Sequence, residues 1–268
     1  MRTTSAAWTA DGHYAKKQIH CKSTLIAWSH RSRFAFARQL IAARPGGRLL
    51  DYGCGDGTFL TLVHESFDDA MGADVDRLQI DDCIRRLSGQ TGVSFRLTND
   101  LGRADFTAAF NVLVCMEVLE HCTADNRQTV LADLWRLAAP DAAVIISVPI
   151  EIGPSLMVKH LARTLAGWRG LGDYQYRERY TLGELWKMLF AGAATSIHRP
   201  VYETGPASPV APYHGHKGFN WRALRTELTA RFHVESLQFT PLHWLGSGLN
   251  SQAWFICRPC CKEGSQTK

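Results

Sequence analysis

The sequence has no run approaching the roughly 18 consecutive apolar residues that a membrane-spanning helix needs, and its first thirty residues lack the apolar core of a secretory signal. Both absences make a cytoplasmic protein the expectation. Charge of one sign is also scarce: the formal net charge is +5 over 268 residues. Basic residues cluster at His30-Arg31-Ser32-Arg33 and Arg177-Glu178-Arg179, but an acid breaks the second group and neither is interleaved with stacking aromatics, so no nucleic-acid partner is expected. Cysteine is not scarce, at eight residues, yet metal-finger spacing is missing. The tail Cys257-Arg258-Pro259-Cys260-Cys261 has one C-x-x-C and no second pair, while Cys54, Cys115 and Cys122 fall at presumed core or motif positions. Reduced thiols and no metal site are the expectation.

What is present is an ordered series of strand-and-turn signals. Leu49 to Thr58 reads LLDYGCGDGT, an apolar strand running into an acid and then glycines at 53, 55 and 57, ahead of a helical stretch from Phe59 to about Phe67. Glycines at that spacing let the backbone turn sharply and approach a ligand with no Cβ in the way, and Asp51 can accept hydrogen bonds from a cationic or amine-bearing group. Ala70 to Asp76, AMGADVD, reads as a second strand whose acid Asp74 lies 21 residues beyond Gly53. An acid at such a tip can accept two ribose hydroxyls, with Asp76 as the fallback. Val93 to Leu101 reads as strand three, and Phe110 to His121, FNVLVCMEVLEH, as strand four with a polar run behind it. Asp125 to Ala139 is an amphipathic helix, and Ala142 to Val148 is a continuous apolar strand stopped by Pro149. Alternating strands and helices predict right-handed crossovers and a parallel sheet, with ligands outside the carboxyl ends of the strands.

In that order these segments resemble the class I S-adenosylmethionine-dependent methyltransferases: acid-x-Gly-x-Gly-x-Gly, then G-x-D, then an acid after strand three, then the E-V-L-E-H run common in small-molecule members. The G-x-G-x-x-G fingerprint of nicotinamide and flavin enzymes has a different spacing. The resemblance covers about 48–150 well and 217–258 more loosely. It implies a Rossmann-like α/β fold, a seven-stranded, mostly parallel sheet whose last two strands form an antiparallel hairpin at one edge. It implies S-adenosyl-L-methionine as cofactor, held by Asp51, Gly53, Gly55, Asp74, Val75, Asp100, Leu101, Cys115 and Glu117, with the Asn99-Asp100 pair placed to meet the adenine amine.

Four parts of the chain are expected: a helical prefix over 1–45, the cofactor-binding core over 46–150, a lid over 151–216, and the rest of the core with a frayed tail over 217–268. The prefix has helical patterns near Tyr14 to Ile19 and from Ser23 to Ala43, whose Tyr14, Lys16, His30 and Arg33 can reach toward the cleft. The lid has one helix over Leu156 to Ala166, apolar with Lys159, His160 and Arg163, and another over Thr181 to Leu189 with a Thr181–Glu184 capping box. Leaving strand five at the cofactor end, the insertion is expected to cover the site and carry specificity. Asn220 to Phe232 reads as a helix, and His233 to Thr240 and Gln252 to Arg258 as strands six and seven.

A sulfonium methyl is already an activated electrophile, so the site's main task is to hold a nucleophile in line behind it, at about 3 Å and away from water. A hydroxyl acceptor also needs its proton removed. Glu117, His121, Glu151, His214 and His216 are the candidate bases, with His121 and His216 favoured. The [DN]-P-P-[FYW] sequence of amino-methylating nucleic-acid enzymes is absent after strand four, as is a Pro-Cys nucleophile pair. The expected acceptor is therefore a small molecule methylated on oxygen or nitrogen. Two alternatives stand beside it: a lipid-linked or quinone-like acceptor met at a membrane surface through the basic, apolar first lid helix continuing to Trp168 and Arg169, and a non-catalytic cofactor-binding module.

Overall fold

The computed structural model describes residues 24–102, 104–168, 180–203 and 212–261. The prefix pattern near Tyr14 to Ile19, with Tyr14 and Lys16, lies outside them, as do the Arg177-Glu178-Arg179 cluster and the chain end after 261. The described chain opens with helix α1 (Thr24–Ala42), then β1 (Arg48–Tyr52), α2 (Thr58–Val63), β2 (Asp69–Asp74), α3 (Arg77–Leu87), β3 (Val93–Leu97), β4 (Phe110–Met116), α4 (Ala124–Leu137) and β5 (Ala138–Pro149). There follow α5 (Pro154–Trp168), α6 (Leu182–Leu189), the two short strands β6 (Val201–Tyr202) and β7 (Tyr213–His214), α7 (Trp221–Leu228), β8 (Phe232–Thr240) and β9 (Gln252–Pro259).

The main sheet runs β3-β2-β1-β4-β5-β9-β8. The first five strands are parallel neighbours, while β9 runs antiparallel between β5 and β8, pairing Ile145 with Ile256 and Leu237 with Phe255. The antiparallel β8–β9 hairpin therefore closes one edge, as the resemblance implies. Because side chains alternate across a strand, neighbouring residues feed two cores. Leu49, Val112, Val114, Ile145 and Trp254 pack with Phe34, Ala37 and Ile41 of α1 and Phe59 and Leu60 of α2 on one face. Leu50, Leu113, Cys115, Ile146 and Phe255 pack with Leu131 and Leu134 of α4, Leu224 of α7 and Met188 of α6 on the other.

Several boundaries move for local reasons. Strand two stops at Asp74, because the Asp76 carboxylate accepts from Leu78 N–H at 2.9 Å and caps α3. Strand three ends at Leu97 and tightens into a 3₁₀ turn over Thr98–Gly102. The helix after the glycine turn ends at Val63 and passes into a 3₁₀ turn, His64–Ser66. Strand five begins earlier, since Ala138 leaves α4 in an extended conformation and pairs with Phe110. Trp28, placed on an apolar face of the prefix helix, is 47% exposed. The Thr181–Glu184 capping box forms at the start of α6, with both reciprocal bonds present.

Candidate active site

The turn after β1 is built on backbone that only glycine enters without strain. Gly53 has φ +83°, and a Cβ there would lie 2.2 Å from Val118 Cγ2 in the loop after β4. The N–H groups of Gly53 and Cys54 both donate to Ala73 O, at 2.7 and 3.0 Å, fastening the turn to the end of β2. The Asp74 carboxylate completes that attachment: Oδ2 accepts from Gly55 N–H and Oδ1 from Asp76 N–H, each at 2.9 Å. Burial nevertheless raises the Asp74 carboxyl above its ordinary value. Asp51 is deeper still, at 2% exposure. Burial first, and then the charges of Asp74 and Asp56, push its carboxyl up to about 8.

Around this turn the other cofactor candidates divide. Val75 and Asp100 are exposed beside the strand ends. Leu101 and Cys115 are buried with their side chains in the core, so what they offer a ligand is backbone. Glu117 follows β4 with φ +57°, a left-handed conformation that costs a non-glycine residue roughly 1–2 kcal/mol. Its N–H donates to Ser147 O at 3.0 Å, and its Oε2 meets Arg33 Nη1 of α1 at 3.1 Å. Arg33 of α1 is thus buried against the loop after β4, and His30 contacts it within the same helix.

The five candidate bases fare differently. His121 and the chain around β7 exchange bonds: His214 N–H donates to His121 O at 2.9 Å, and His121 Nδ1 lies 2.9 Å from His214 O. A carbonyl can only accept, so His121 Nδ1 carries the proton and a neutral ring keeps its lone pair on Nε2. His216 Nε2 stands 3.3 Å from that nitrogen. Burial lowers His216 to about 4, so it is neutral near pH 7. His214 turns away, with Nδ1 2.8 Å from Pro200 O. Glu151 is fully buried and paired with Lys159 Nζ at 2.9 Å.

One residue of the E-V-L-E-H run was not singled out by sequence reasoning. Glu120 is 0% exposed, and among the described residues neither carboxylate oxygen has a hydrogen-bond partner. Burial, reinforced by Glu117, raises its carboxyl well above the ordinary range. Its sequence signal was the i, i+3 spacing from Glu117, which the close approach of His216 alone makes meaningful. Glu120, His121 and His216 each offer one ligand atom within 4.8 Å of the others. They form a cluster whose donor types could hold a metal ion.

The strand order and the glycine turn at the carboxyl ends of β1 and β2 define the fold of the S-adenosylmethionine-dependent methyltransferases. Residues 27–190 match the family described as methyltransferase domain. The chain belongs to that family. A ubiquinone biosynthesis O-methyltransferase of Hahella chejuensis is 34% identical over 142 residues, 48% of this chain and 58% of that protein, so the match spans little more than half of the relative. A solved protein of Pyrococcus horikoshii superposes with a TM-score of 0.58 at 14% identity, covering 92% of this chain and 96% of that one. The magnesium protoporphyrin IX methyltransferase of Synechocystis, solved with S-adenosylhomocysteine bound, gives 0.50 at 14% identity over 87% and 85%. At these identities the structural likenesses bear on the fold.

Proposed function

We propose that the protein transfers a methyl group from S-adenosyl-L-methionine to an oxygen of a small-molecule acceptor. The observation that carries oxygen over nitrogen is His121, whose Nδ1 contact with His214 O leaves an Nε2 lone pair behind the loop after β4. A hydroxyl needs such a group and a free amine does not. The name of the Hahella relative points the same way.

In this reading Asp51 accepts from the cofactor's amino group and Gly53 and Gly55 let the backbone approach it. Asp74 takes the ribose hydroxyls, since a carboxylate has about four acceptor sites and its backbone bonds use two. Val75, Asp100 and Leu101 border the adenine, and Cys115 and Glu117 close the side toward β4. His121 handles the acceptor proton, with His216 as its neutral neighbour. The 151–216 segment covers the acceptor; His216 and the contact between Arg199 and Glu120 O tie its return to the loop after β4. We place the enzyme in the cytoplasm, a compartment that keeps thiols such as its buried Cys54, Cys83, Cys115 and Cys257 reduced.

Calorimetric titration with S-adenosylmethionine and S-adenosylhomocysteine tests the reading, repeated on Gly55→Arg and Asp74→Ala. Expected are micromolar binding by the wild type, loss in the first variant and a roughly 10–100-fold weakening in the second, the range of hydrogen bonds to a charged group. Wild type that binds neither compound would overturn it. Release of adenosylhomocysteine across pools of hydroxyl acceptors then separates an enzyme from a silent binding module.

A lipid-linked acceptor is favoured by one further observation. No described helix is long and apolar enough to cross a membrane. Yet Met157, Val158 and Leu161 of α5, Trp186 of α6 and Phe190 just after α6 are all exposed, and α5 packs against α6. Co-sedimentation with vesicles, lost when those five residues become serine, is the expected result of that version.

A further inference from the structure

A cavity opens on the side of the sheet that carries α4 and α7, walled also by the segment between α6 and β6. It encloses about 510 Å³, within the usual range for small-molecule sites. Among the described lining residues, His214 is the only candidate base and none is a cofactor candidate, so the cavity stands apart from the proposed methyl-transfer site. From the groups that line it, we infer that this cavity binds a small organic anion, an apolar body with a carboxylate or phosphate head, and that its occupancy slows methyl transfer through Arg199.

Two guanidiniums are fixed in the wall by the fold itself. Arg127 of α4 grips Glu227 of α7 in a fork, with Nε donating to Oε2 at 2.8 Å and Nη2 to Oε1 at 2.9 Å. Glu227 is the only acid among the described lining residues, so the fork answers the cavity's one negative charge. Arg199 lies over the Phe219 ring, its Cζ 5.1 Å from the centroid, and its Nη2 contacts Glu120 O and donates to Gly215 O at 2.9 Å. Both of those acceptors are neutral, and they leave the guanidinium's charge in place. The field in the cavity is accordingly positive. Burial first, and then Arg199, Arg127 and His198, act to lower the His214 ring below its ordinary pKa, against the bond to Pro200 O. Ile197, Ala223 and Leu224 supply apolar wall beside these groups. Rigid, planar guanidiniums suit the paired oxygens of a carboxylate or phosphate. Bracing of the fold would account for each arginine singly and leaves unexplained why both border one open cavity.

The effect on turnover rests on the proposed methyl transfer; the binding does not. Arg199 belongs both to the cavity wall and to the contacts that hold the E-V-L-E-H loop. A charged oxygen is a stronger acceptor than a neutral carbonyl, so an anion in the cavity draws the guanidinium away from Glu120 O and Gly215 O. His214 stands in the same wall and holds the proposed base, its N–H donating to His121 O and its carbonyl 2.9 Å from His121 Nδ1. Occupancy therefore loosens the loop that positions His121. The glycine turn and Asp74 lie outside the cavity wall, so the cofactor's own contacts persist.

The test is calorimetric titration with phenyl phosphate, benzoate and uncharged benzamide at constant ionic strength, which holds screening fixed. At least one of the two anions should bind at one equivalent and benzamide should not, the tighter anion identifying the head group. Ser196→Glu places a carboxylate at an exposed lining position and should weaken that binding at least about tenfold. Arg199→Met should weaken it about 10–100-fold, the range of hydrogen bonds to a charged group, with Arg199→Lys, which keeps the charge and loses the fork, in between. Each variant's thermal melt and cofactor titration report whether it remains folded. No saturable binding of either anion by the folded wild type, equal binding of benzamide, or unchanged affinity in both Ser196→Glu and Arg199→Met would overturn the site. Saturating anion should slow the release of adenosylhomocysteine with S-adenosylmethionine affinity unchanged, and an unaltered rate would overturn the coupling. Anion binding sensitive to Ser196→Glu in a protein that binds no S-adenosylmethionine would support the site while removing the methyl-transfer reading.

Discussion

Gly53→Ala should damage the protein at the junction on which both halves of the site depend. Two costs can be worked out. The backbone is at φ +83°, where a Cβ costs about 1–2 kcal/mol. The new methyl would also lie 2.2 Å from Val118 Cγ2, and relieving such a clash in a packed interior costs about 1–3 kcal/mol. The sum is about 2–5 kcal/mol, measurable by urea denaturation and visible as a fall in Tm of at least about 2 °C per kcal/mol. A second substitution separates the two costs. Val118 Cβ would be 3.5 Å from the introduced atom, an ordinary contact, so Val118→Ala removes the clash and leaves the backbone strain. Alone, Val118→Ala should cost about 1–2 kcal/mol for two lost methyl groups. In the double variant the total should fall short of the sum by about 1–3 kcal/mol, the clash component. A single variant within about 0.5 kcal/mol of wild type, the scatter of ordinary surface changes, would refute the close approach of the glycine turn to the E-V-L-E-H loop. Additive single costs would refute it equally.

Asp51, at about 8 in the folded protein, holds a proton that the unfolded chain releases near 4, so its contribution to stability declines as pH rises from about 4 to about 8 and then levels. Relative to wild type, Asp51→Asn should therefore gain stability across that window, as unfolding at pH 5 and pH 8.5 would show; parallel curves would contradict the burial argument. A cationic group arriving beside Asp51 should drive that proton off, so the heat of cofactor binding near pH 7 should depend on the ionisation enthalpy of the buffer. Lys159 Nζ bonds Ile150 O and Glu151 Oε1 at 2.9 Å and Ser251 O at 3.1 Å, and Lys159→Met leaves the buried Glu151 without that partner. Its expected cost is about 3–5 kcal/mol in equilibrium unfolding, whereas a loss below about 1 kcal/mol would mark the pair as a mere surface contact. Thr181→Ala removes one half of the capping box at α6 and should lower stability by about 1 kcal/mol, with faster amide exchange confined to the first turn of that helix.

Much of the scaffold was legible because its signals are local. The apolar runs that became β4 and β5, the glycine turn and the Thr181–Glu184 box each depend on residues within a few positions of one another. Errors fell where a boundary rests on a contact the sequence does not display. Asp76 caps a helix instead of ending a strand, and Ala138 joins β5 because Phe110 stands across from it. His121 and His216 could be named as chemical candidates. Glu120, the buried acid between them, could not be distinguished from its neighbours, since nothing in E-V-L-E-H says which carboxylate is denied a partner.

The sequence by itself determined the order of strands and turns, the glycine positions at the first of those turns and the family to which the chain belongs. Backbone conformational limits and side-chain alternation act over short stretches, so they are written in consecutive residues. Only the tertiary structure decided that Val118 needs Gly53 bare, that Arg33 reaches Glu117, and that 95 residues of chain return to set His216 against His121. Those pairings follow from how α1 and the segment after β5 pack over the strand ends, where burial and electrostatics are properties of the assembled fold.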